Sequence, residues 1–130
     1  MNDSYRLAAV MGWPVAHSRS PVLHHYWLER HGLAGDYVKL AVPPERLGPA
    51  LRGLANLGFA GCNLTLPHKE AALAFLDEID PQARAIGAVN TVTVRPDGKL
   101  HGANSDAFGF IANLGAGAPA WRAAAWPAVV

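Results

Sequence analysis

The stretch Gly61-Cys62-Asn63-Leu64-Thr65-Leu66-Pro67-His68-Lys69 predicts a short buried strand that runs directly into a helix. Because side chains alternate faces along a strand, Asn63 and Thr65 share one face, opposite the apolar residues between and beside them. We expect Asn63 and Thr65 to face a crevice. Pro67 suits a helix start, which places Lys69 in the first turn. A lysine beside two hydrogen-bonding side chains is a candidate for proton transfer, and the alternative is a lysine that points into water.

The composition indicates one folded domain of about average size. Apolar residues make up 51% of the 130 residues and charged residues 16%, which excludes a disordered tail and a solvated coiled coil. The net charge is +1 without a run of lysines or arginines, so a basic nucleic-acid-binding face is not expected. The single cysteine, Cys62, allows no internal disulfide. With neither a signal peptide nor an apolar run of membrane-spanning length, we expect a cytoplasmic protein without a membrane partner.

Strand-like and helix-like segments alternate along most of the chain. The predicted elements are a strand over 5–12, a helix from 20 to about 31, a strand over 36–42, a helix over 45–57, the strand that contains Asn63, and a helix over 68–77. Two further segments, 88–95 and 99–104, flank Pro96-Asp97-Gly98, which is a hairpin signal. We therefore predict an α/β fold: an open, mainly parallel twisted sheet with an antiparallel hairpin at one side and helices on both faces.

Ser18 and Ser20 lie two residues apart at the start of the first predicted helix. We expect Ser20 to cap that helix and Pro21 to occupy its first position. The free N–H groups at a helix start favour an anion, and two hydroxyls beside them fit a small carboxylate. The alternative is that Ser20 is only a cap and Ser18 only a turn residue.

Polar residues also stand at both ends of the predicted hairpin. Asn90 and Thr91 open its first strand, while Asn104 or Ser105 is expected to cap a last helix from Asp106 to about 114. Ligands of open α/β sheets collect at the carboxyl ends of strands, so both groups are expected at the same rim as Lys69. An aspartate that faces a lysine there would hold it for proton transfer. The alternative for Asp106 is a first-turn carboxylate that stabilises its own helix.

Two sequence patterns, a group of histidines and a pair of glycines, do not indicate a metal site or a nucleotide site. The histidines at 17, 24, 25 and 31 lack Cys, Asp or Glu partners on a shared face, so no metal is expected. Gly115-Ala116-Gly117 lacks the third glycine and the preceding strand of a dinucleotide-binding turn. The cofactor-binding residues are therefore unknown.

Four segments together resemble the amino-terminal half of shikimate dehydrogenases. The segment 12–21 is similar to the family's G-x-P-(I/V)-x-H-S-x-S-P signature and 63–69 to N-(V/L)-T-x-P-x-K; 86–91 is similar to I-G-A-x-N-T and 102–110 to G-x-N-T-D-x-x-G. The family reduces 3-dehydroshikimate to shikimate with NADPH on the route through chorismate to aromatic amino acids. The resemblance implies that Ser18 and Ser20 hold the substrate carboxylate and that Lys69 and Asp106 form the catalytic pair. It further implies hydrogen bonds to the ring hydroxyls from Asn63, Thr65, Asn90 and Asp106.

The chain departs from the family in length and at His25. Family members are about twice as long, so we expect residues 1–105 to be a substrate-binding catalytic domain and 106–130 a connecting helix and the start of a cofactor domain. A truncated chain of this kind would bind no NADP, show no activity alone and self-associate through apolar surface near Trp121 and Trp126. His25 stands where the family usually has Asn, which leaves shikimate, quinate or an amino analogue open. The competing class is a stand-alone shikimate- or quinate-binding module without catalysis.

Overall fold

A computed structural model describes residues 4–122 of the chain. It contains six strands and five α-helices in these residues: β1 Arg6–Gly12, α1 Ser20–Arg30, β2 Gly35–Ala41, α2 Leu47–Asn56, β3 Phe59–Leu64, α3 His68–Ala71, β4 Glu78–Ile79, α4 Pro81–Ile86, β5 Thr91–Val94, β6 Leu100–Ala103 and α5 Asp106–Gly117. Short 3₁₀ helices over Pro44–Arg46 and Ala72–Phe75 precede α2 and follow α3.

The strands form one sheet in the order β2-β1-β3-β5-β6-β4. Within the described residues three of the five strand pairings are parallel, and β5 pairs antiparallel with both β3 and β6. The predicted mainly parallel α/β sheet with a hairpin is therefore confirmed. The hairpin does not form the sheet edge, however, because the short strand β4 pairs with β6 on its outer side.

The segment after Lys69 differs from the prediction of one helix over 68–77. The α-helix ends at Ala71 and becomes a 3₁₀ helix, and then the backbone extends to pair with β6. The N–H of Asp77 donates to the carbonyl of Leu100 at 3.0 Å, and a carboxylate oxygen of Asp77 accepts from the Leu100 N–H at 2.8 Å. These bonds to a strand outweigh the local helical pattern. The strand β4 and the helix α4 were both missed because neither is long enough to show a period.

The apolar core lies on both faces of β1. Ala9 and Met11 face the leucines of α2, whereas Val10 faces the opposite side, with Val15 and Tyr37. The helix α1 packs against β2 on that second side. The alternation along β1 thus buries one helix layer on each face, as predicted. None of the α1 side chains is buried, and apolar residues of α5 such as Phe108 are exposed.

Two local expectations needed correction, and a third is confirmed. Ser20 is the first residue of α1 and not its cap: Arg19 takes the cap position, and the Ser18 hydroxyl accepts the Ser20 N–H at 3.3 Å. The start of α5 is as expected: Ser105 takes the cap position, and the side chain of Asn104 accepts the N–H of Asp106 at 2.9 Å. Leu66 follows the end of β3 and is 76% exposed, so it does not share the buried face of that strand.

Two remaining expectations concern membrane-spanning helices and the carboxyl-terminal residues. Between residues 4 and 122, no helix is long and apolar enough to cross a bilayer. Trp121 is 45% exposed, whereas Trp126 and the predicted strand start at 127–130 lie outside the described residues. Self-association and the domain division at residue 105 remain predictions.

We predict that Gly61→Ala destabilises the fold. A Cβ at this position would overlap the carbonyl oxygen of Val92, because β3 and β5 approach closely there. The expected loss in the free energy of unfolding, measured by urea denaturation, is about 2 kcal/mol or more.

Gly53→Ala is the matched control, since a Cβ on this residue of α2 meets nothing within 4 Å. It should stabilise the protein by about 0.5–1 kcal/mol through helix propensity. Equal unfolding midpoints for the two variants would contradict the close approach at Gly61.

Candidate active site

The residues singled out in the sequence line one cavity of about 390 Å³. All seven are present in its wall: Ser18, Ser20, Asn63, Thr65, Lys69, Asn90 and Asp106. The cavity lies beyond the carboxyl ends of the parallel strands β1 and β3, at the point where β5 begins. This is the rim at which open α/β sheets bind ligands, because the loops that leave the strands converge there.

Lys69 and Asp106 form an ion pair in this cavity. The Nζ atom of Lys69 donates to Oδ2 of Asp106 at 2.7 Å, and Oδ1 of Asp106 accepts from Nδ2 of Asn90 at 2.9 Å. The hydrogen bond from Lys69 lowers the pKa of Asp106 below its ordinary value of 3.8, with help from Asn90 and against partial burial. Asp106 is therefore a carboxylate at neutral pH, and its charge holds the lysine in place.

Asn63 and Asn90 are linked through Thr91. Nδ2 of Asn63 donates to the Thr91 hydroxyl at 3.3 Å, and this hydroxyl donates to Oδ1 of Asn90 at 3.0 Å. The same Asn90 oxygen accepts the backbone N–H of Ser105 at 3.1 Å. Asn90 is only 9% exposed, so its polar atoms need these partners. Thr91 and Ser105 were noted in the sequence beside the hairpin but were not among the seven candidates.

The serine arm, Ser18 and Ser20, lines the same cavity as this network. The Ser18 hydroxyl accepts the N–H of Ser20, and the Ser20 carbonyl accepts a hydrogen bond from Nδ1 of His24 at 2.9 Å. The Ser20 side chain makes no capping bond, so the alternative that Ser20 is only a cap is wrong. Both hydroxyls instead line the cavity at the first turn of an eleven-residue helix.

His24 and Tyr37 are the residues that the sequence reasoning missed. Their rings are stacked with centroids 3.8 Å apart, His24 lines the cavity, and the Tyr37 hydroxyl donates to Oδ1 of Asn63 at 2.8 Å. Burial raises the pKa of Tyr37 to about 12, so its hydroxyl stays protonated. No local sequence signal marks Tyr37, because its place depends on the sheet: it pairs with Ala8 of β1, and β1 alone separates it from β3.

The residues set aside in the sequence analysis do not join the site. His25 does not line the cavity, and its Nε2 lies 2.6 Å from a carboxylate oxygen of Asp36. Among residues 4–122, no group of three His, Cys, Asp or Glu side chains could hold a metal ion. Gly115 and Gly117 lie inside α5 and therefore form no nucleotide-binding turn. The thiol of Cys62 is buried, and burial raises its pKa to about 12, so it is not a nucleophile.

Comparisons with known proteins agree on one family. Residues 10–92 match the model of the shikimate dehydrogenase substrate binding domain. The curated shikimate dehydrogenase (NADP(+)) of Paramagnetospirillum magneticum is 55% identical over 130 residues, which is 100% of this chain and 47% of that protein. That of Rhodospirillum rubrum is 58% identical over 125 residues, 96% of this chain and 44% of that protein.

A solved structure extends the agreement to three dimensions. Shikimate 5-dehydrogenase from Thermus thermophilus, in complex with NADP(H) and shikimate, superposes with a TM-score of 0.81 at 50% identity. The match covers 86% of this chain and 42% of that one. The chain thus spans less than half the length of these relatives.

We predict that Lys69→Met raises the pKa of Asp106, because the hydrogen bond that lowers it is lost while burial remains. In the unmodified chain, a ¹³C titration of the Asp106 carboxyl should give a midpoint below 3.8. The stabilisation from the pair is present above the unfolded-state pKa and is lost as the pH falls through the lower folded-state pKa. Because Asp106 is 54% exposed, this stabilisation is small, about 0.2–1 kcal/mol at pH 7.

Lys99→Met is the control, since Lys99 lies 3.9 Å from Asp97 and does not line the cavity. It should leave the Asp106 midpoint unchanged. An unchanged midpoint in Lys69→Met would show that the pair does not form in solution.

Proposed function

We propose a function from the premise that this chain belongs to the shikimate dehydrogenase family, whose substrate-binding domain it matches over residues 10–92. The chain binds shikimate and 3-dehydroshikimate and carries the proton-transfer residues of an NADP-dependent dehydrogenase. The observation that carries this proposal is the ion pair of Lys69 and Asp106 in one cavity with two serine hydroxyls. A cavity of about 390 Å³ suits a single six-membered ring with its substituents.

The serine arm binds the substrate carboxylate. Ser18 and Ser20 offer hydroxyl donors to a group that has only acceptors, and the first turn of α1 adds its favourable dipole. Of the lysines and arginines in residues 4–122, Lys69 alone lines the cavity, and it is bound to Asp106, so hydroxyl groups supply the recognition of the carboxylate. The carboxylate therefore fixes one end of the ring at α1.

The opposite wall binds the ring hydroxyls. Asn63, Thr65, Asn90 and Asp106 present amide, hydroxyl and carboxylate groups to the cavity. Each of these groups can donate to or accept from a hydroxyl, whereas an apolar substituent would leave them unpaired. A ring that lacks the hydroxyls would therefore bind poorly, and this is the basis of selectivity.

Lys69 performs the proton transfer. In the reduction, hydride adds to the carbonyl carbon while the C=O π bond opens, and the Lys69 ammonium gives its proton to the oxygen to form the hydroxyl. The lysine is left as a neutral amine beside Asp106 and regains a proton from water. In the oxidation the same lysine, as the amine, takes the hydroxyl proton. Asp106 stays ionised throughout and holds the lysine at the reacting oxygen.

A nicotinamide cofactor supplies or accepts the hydride in this reaction. The relatives named for NADP(+) are about twice as long as this chain, and the described residues include no turn that we assign to a nucleotide. The chain of 130 residues by itself should bind the ring acid weakly and oxidise none.

The alternative is a binding module without catalysis. Such a module needs the serine arm and the amide wall but not an ammonium held by a carboxylate. The 2.7 Å contact between Lys69 and Asp106 favours the enzyme, because a binding site for a neutral hydroxyl gains little from an exposed ion pair.

We predict that the chain binds shikimate and that the serine arm forms hydrogen bonds with its carboxylate. Calorimetric titration with shikimate and with its methyl ester should show weaker binding of the ester, by about 10-fold, because charge-assisted hydrogen bonds are lost. The double variant Ser18→Ala, Ser20→Ala should bind both compounds with the same low affinity. If the double variant still prefers the acid by the same factor, the carboxylate lies elsewhere.

We predict that Lys69 is needed for turnover and not for the fold. A fusion of this chain to the carboxyl-terminal half of the Paramagnetospirillum magneticum relative should oxidise shikimate with NADP(+). Lys69→Met in the fusion should lower kcat by about 10²–10⁴-fold with a much smaller change in KM. Lys99→Met is the control and should keep full activity. Near-normal kcat in Lys69→Met would refute the role, and turnover by the 130-residue chain alone would refute its expected inactivity.

A further inference from the structure

We infer that Tyr37 is a positioning residue: its phenol holds Asn63, the first side chain of a hydrogen-bond chain that ends at Asp106. The links are Tyr37 hydroxyl to Asn63 Oδ1 at 2.8 Å, Asn63 Nδ2 to Thr91 Oγ1 at 3.3 Å, Thr91 Oγ1 to Asn90 Oδ1 at 3.0 Å, and Asn90 Nδ2 to Asp106 Oδ1 at 2.9 Å. The catalytic consequence rests on the proposed function of Asp106, whereas the hydrogen-bond chain itself does not.

At one end of this hydrogen-bond chain, Asp106 and Ser105 determine which groups donate and which accept. An ionised carboxylate only accepts, so Asn90 must present its NH₂ group to Asp106. The backbone N–H of Ser105 only donates, so the Asn90 oxygen must face it, at 3.1 Å. Both requirements select the same orientation of the Asn90 amide. The Thr91 hydroxyl then donates to this oxygen and keeps its lone pairs for Asn63.

At the other end, the Tyr37 hydroxyl satisfies Asn63. The Asn63 NH₂ group donates to Thr91 Oγ1 and to the Asn90 backbone carbonyl, so the amide presents its oxygen toward β2, where the Tyr37 hydroxyl donates to it. The phenol is well suited to this role because it is 3% exposed and remains protonated at any ordinary pH. Its ring is stacked on His24, which is itself fixed by the bond from Nδ1 to the Ser20 carbonyl.

Without this hydroxyl the Asn63 oxygen loses its donor, while the Asn63 NH₂ group still donates to Thr91 Oγ1 and to the Asn90 backbone carbonyl, each at 3.3 Å. The amide would then tilt toward another donor, and its bonds to Thr91 and to the Asn90 carbonyl would lengthen. The Thr91 hydroxyl, which holds the Asn90 oxygen, would move with it, and the bond from Asn90 to Asp106 would loosen. Tyr37 therefore acts on the ion pair through three intervening side chains and does not line the cavity itself.

The test is the NMR spectrum of the ¹⁵N-labelled chain without ligand. Tyr37→Phe keeps the ring and its stacking on His24 but removes the donor. We expect the side-chain NH₂ signals of both Asn63 and Asn90 to shift, while the signals of backbone amides outside the hydrogen-bond chain stay in place. Tyr26→Phe is the matched control, because the Tyr26 hydroxyl on α1 accepts from Arg30 and is remote from the network. It should move neither asparagine.

Thr91→Val removes a hydroxyl from the middle of the hydrogen-bond chain and provides an independent test. It should shift the Asn90 side-chain signals by itself. Adding Tyr37→Phe to it should move Asn90 less than Tyr37→Phe does alone, because only the bond from Asn63 to the Asn90 backbone carbonyl still connects the two residues. If Tyr37→Phe does not fold, the shift of Asn90 in Thr91→Val alone decides whether Thr91 connects to it. Asn90 signals that are unmoved in Tyr37→Phe, or that move as far with Thr91→Val as without it, would overturn the inference.

Binding gives the functional readout. We expect Tyr37→Phe to weaken shikimate binding by about 10-fold, the size expected for an unpaired buried acceptor, with Tyr26→Phe unchanged. Unaltered affinity together with shifted asparagine signals would overturn the functional half of the inference. If the unmodified chain binds no shikimate, the proposed function fails, and the asparagine signals still decide on the chain of hydrogen bonds.

Discussion

The carboxylate of Asp106 accepts from Lys69 and from Asn90, and this shared acceptor joins three separate parts of the chain. Lys69 lies on α3, Asn90 precedes β5, and Asp106 begins α5. The contact between Lys69 and Asp106 is partly exposed, and ion pairs of that kind contribute about 1 kcal/mol or less to stability. The value of the arrangement is thus orientation: a charge that stays ionised holds an ammonium at one point of the cavity wall.

The sheet explains why these parts meet. β1 lies between β2 and β3 and runs parallel to both, so the segments that leave β1 and β3 emerge on the same side. β5 runs antiparallel beside β3, and its start therefore faces the end of β3. This pairing requires Gly61, since any side chain there would overlap the backbone of Val92. The rigid strands hold the backbone, and the polar residues just beyond their ends form the site.

Sequence periodicity was sufficient to predict most strands and the residues of β3 that face the cavity. It failed for elements and side chains whose positions depend on contacts distant in the sequence. The alternation around Asn63 and Thr65 correctly placed both on a cavity, because the period of a buried strand depends only on neighbouring residues. The strand β4 has two residues and forms only because β6 offers it hydrogen bonds. Likewise, nothing local marks Tyr37 as more than an apolar strand residue. Its hydroxyl acquires a role only when the sheet places β2 two positions from β3, within reach of Asn63.

Under the proposed function, the charges of the cavity wall would determine how a ring acid is oriented. Within residues 4–122, Lys69 is the lysine and Asp106 the carboxylate that line the cavity, beside His24, and the charges of Lys69 and Asp106 offset each other. A substrate carboxylate near Lys69 would compete with Asp106 and disturb the pair that holds the lysine. Near Ser18 and Ser20 the same carboxylate meets hydroxyl donors and the first turn of a helix, with no carboxylate to oppose it. Under the proposed function, the acid end would therefore be directed to α1, and the reacting oxygen at the other end of the ring would be left within reach of Lys69.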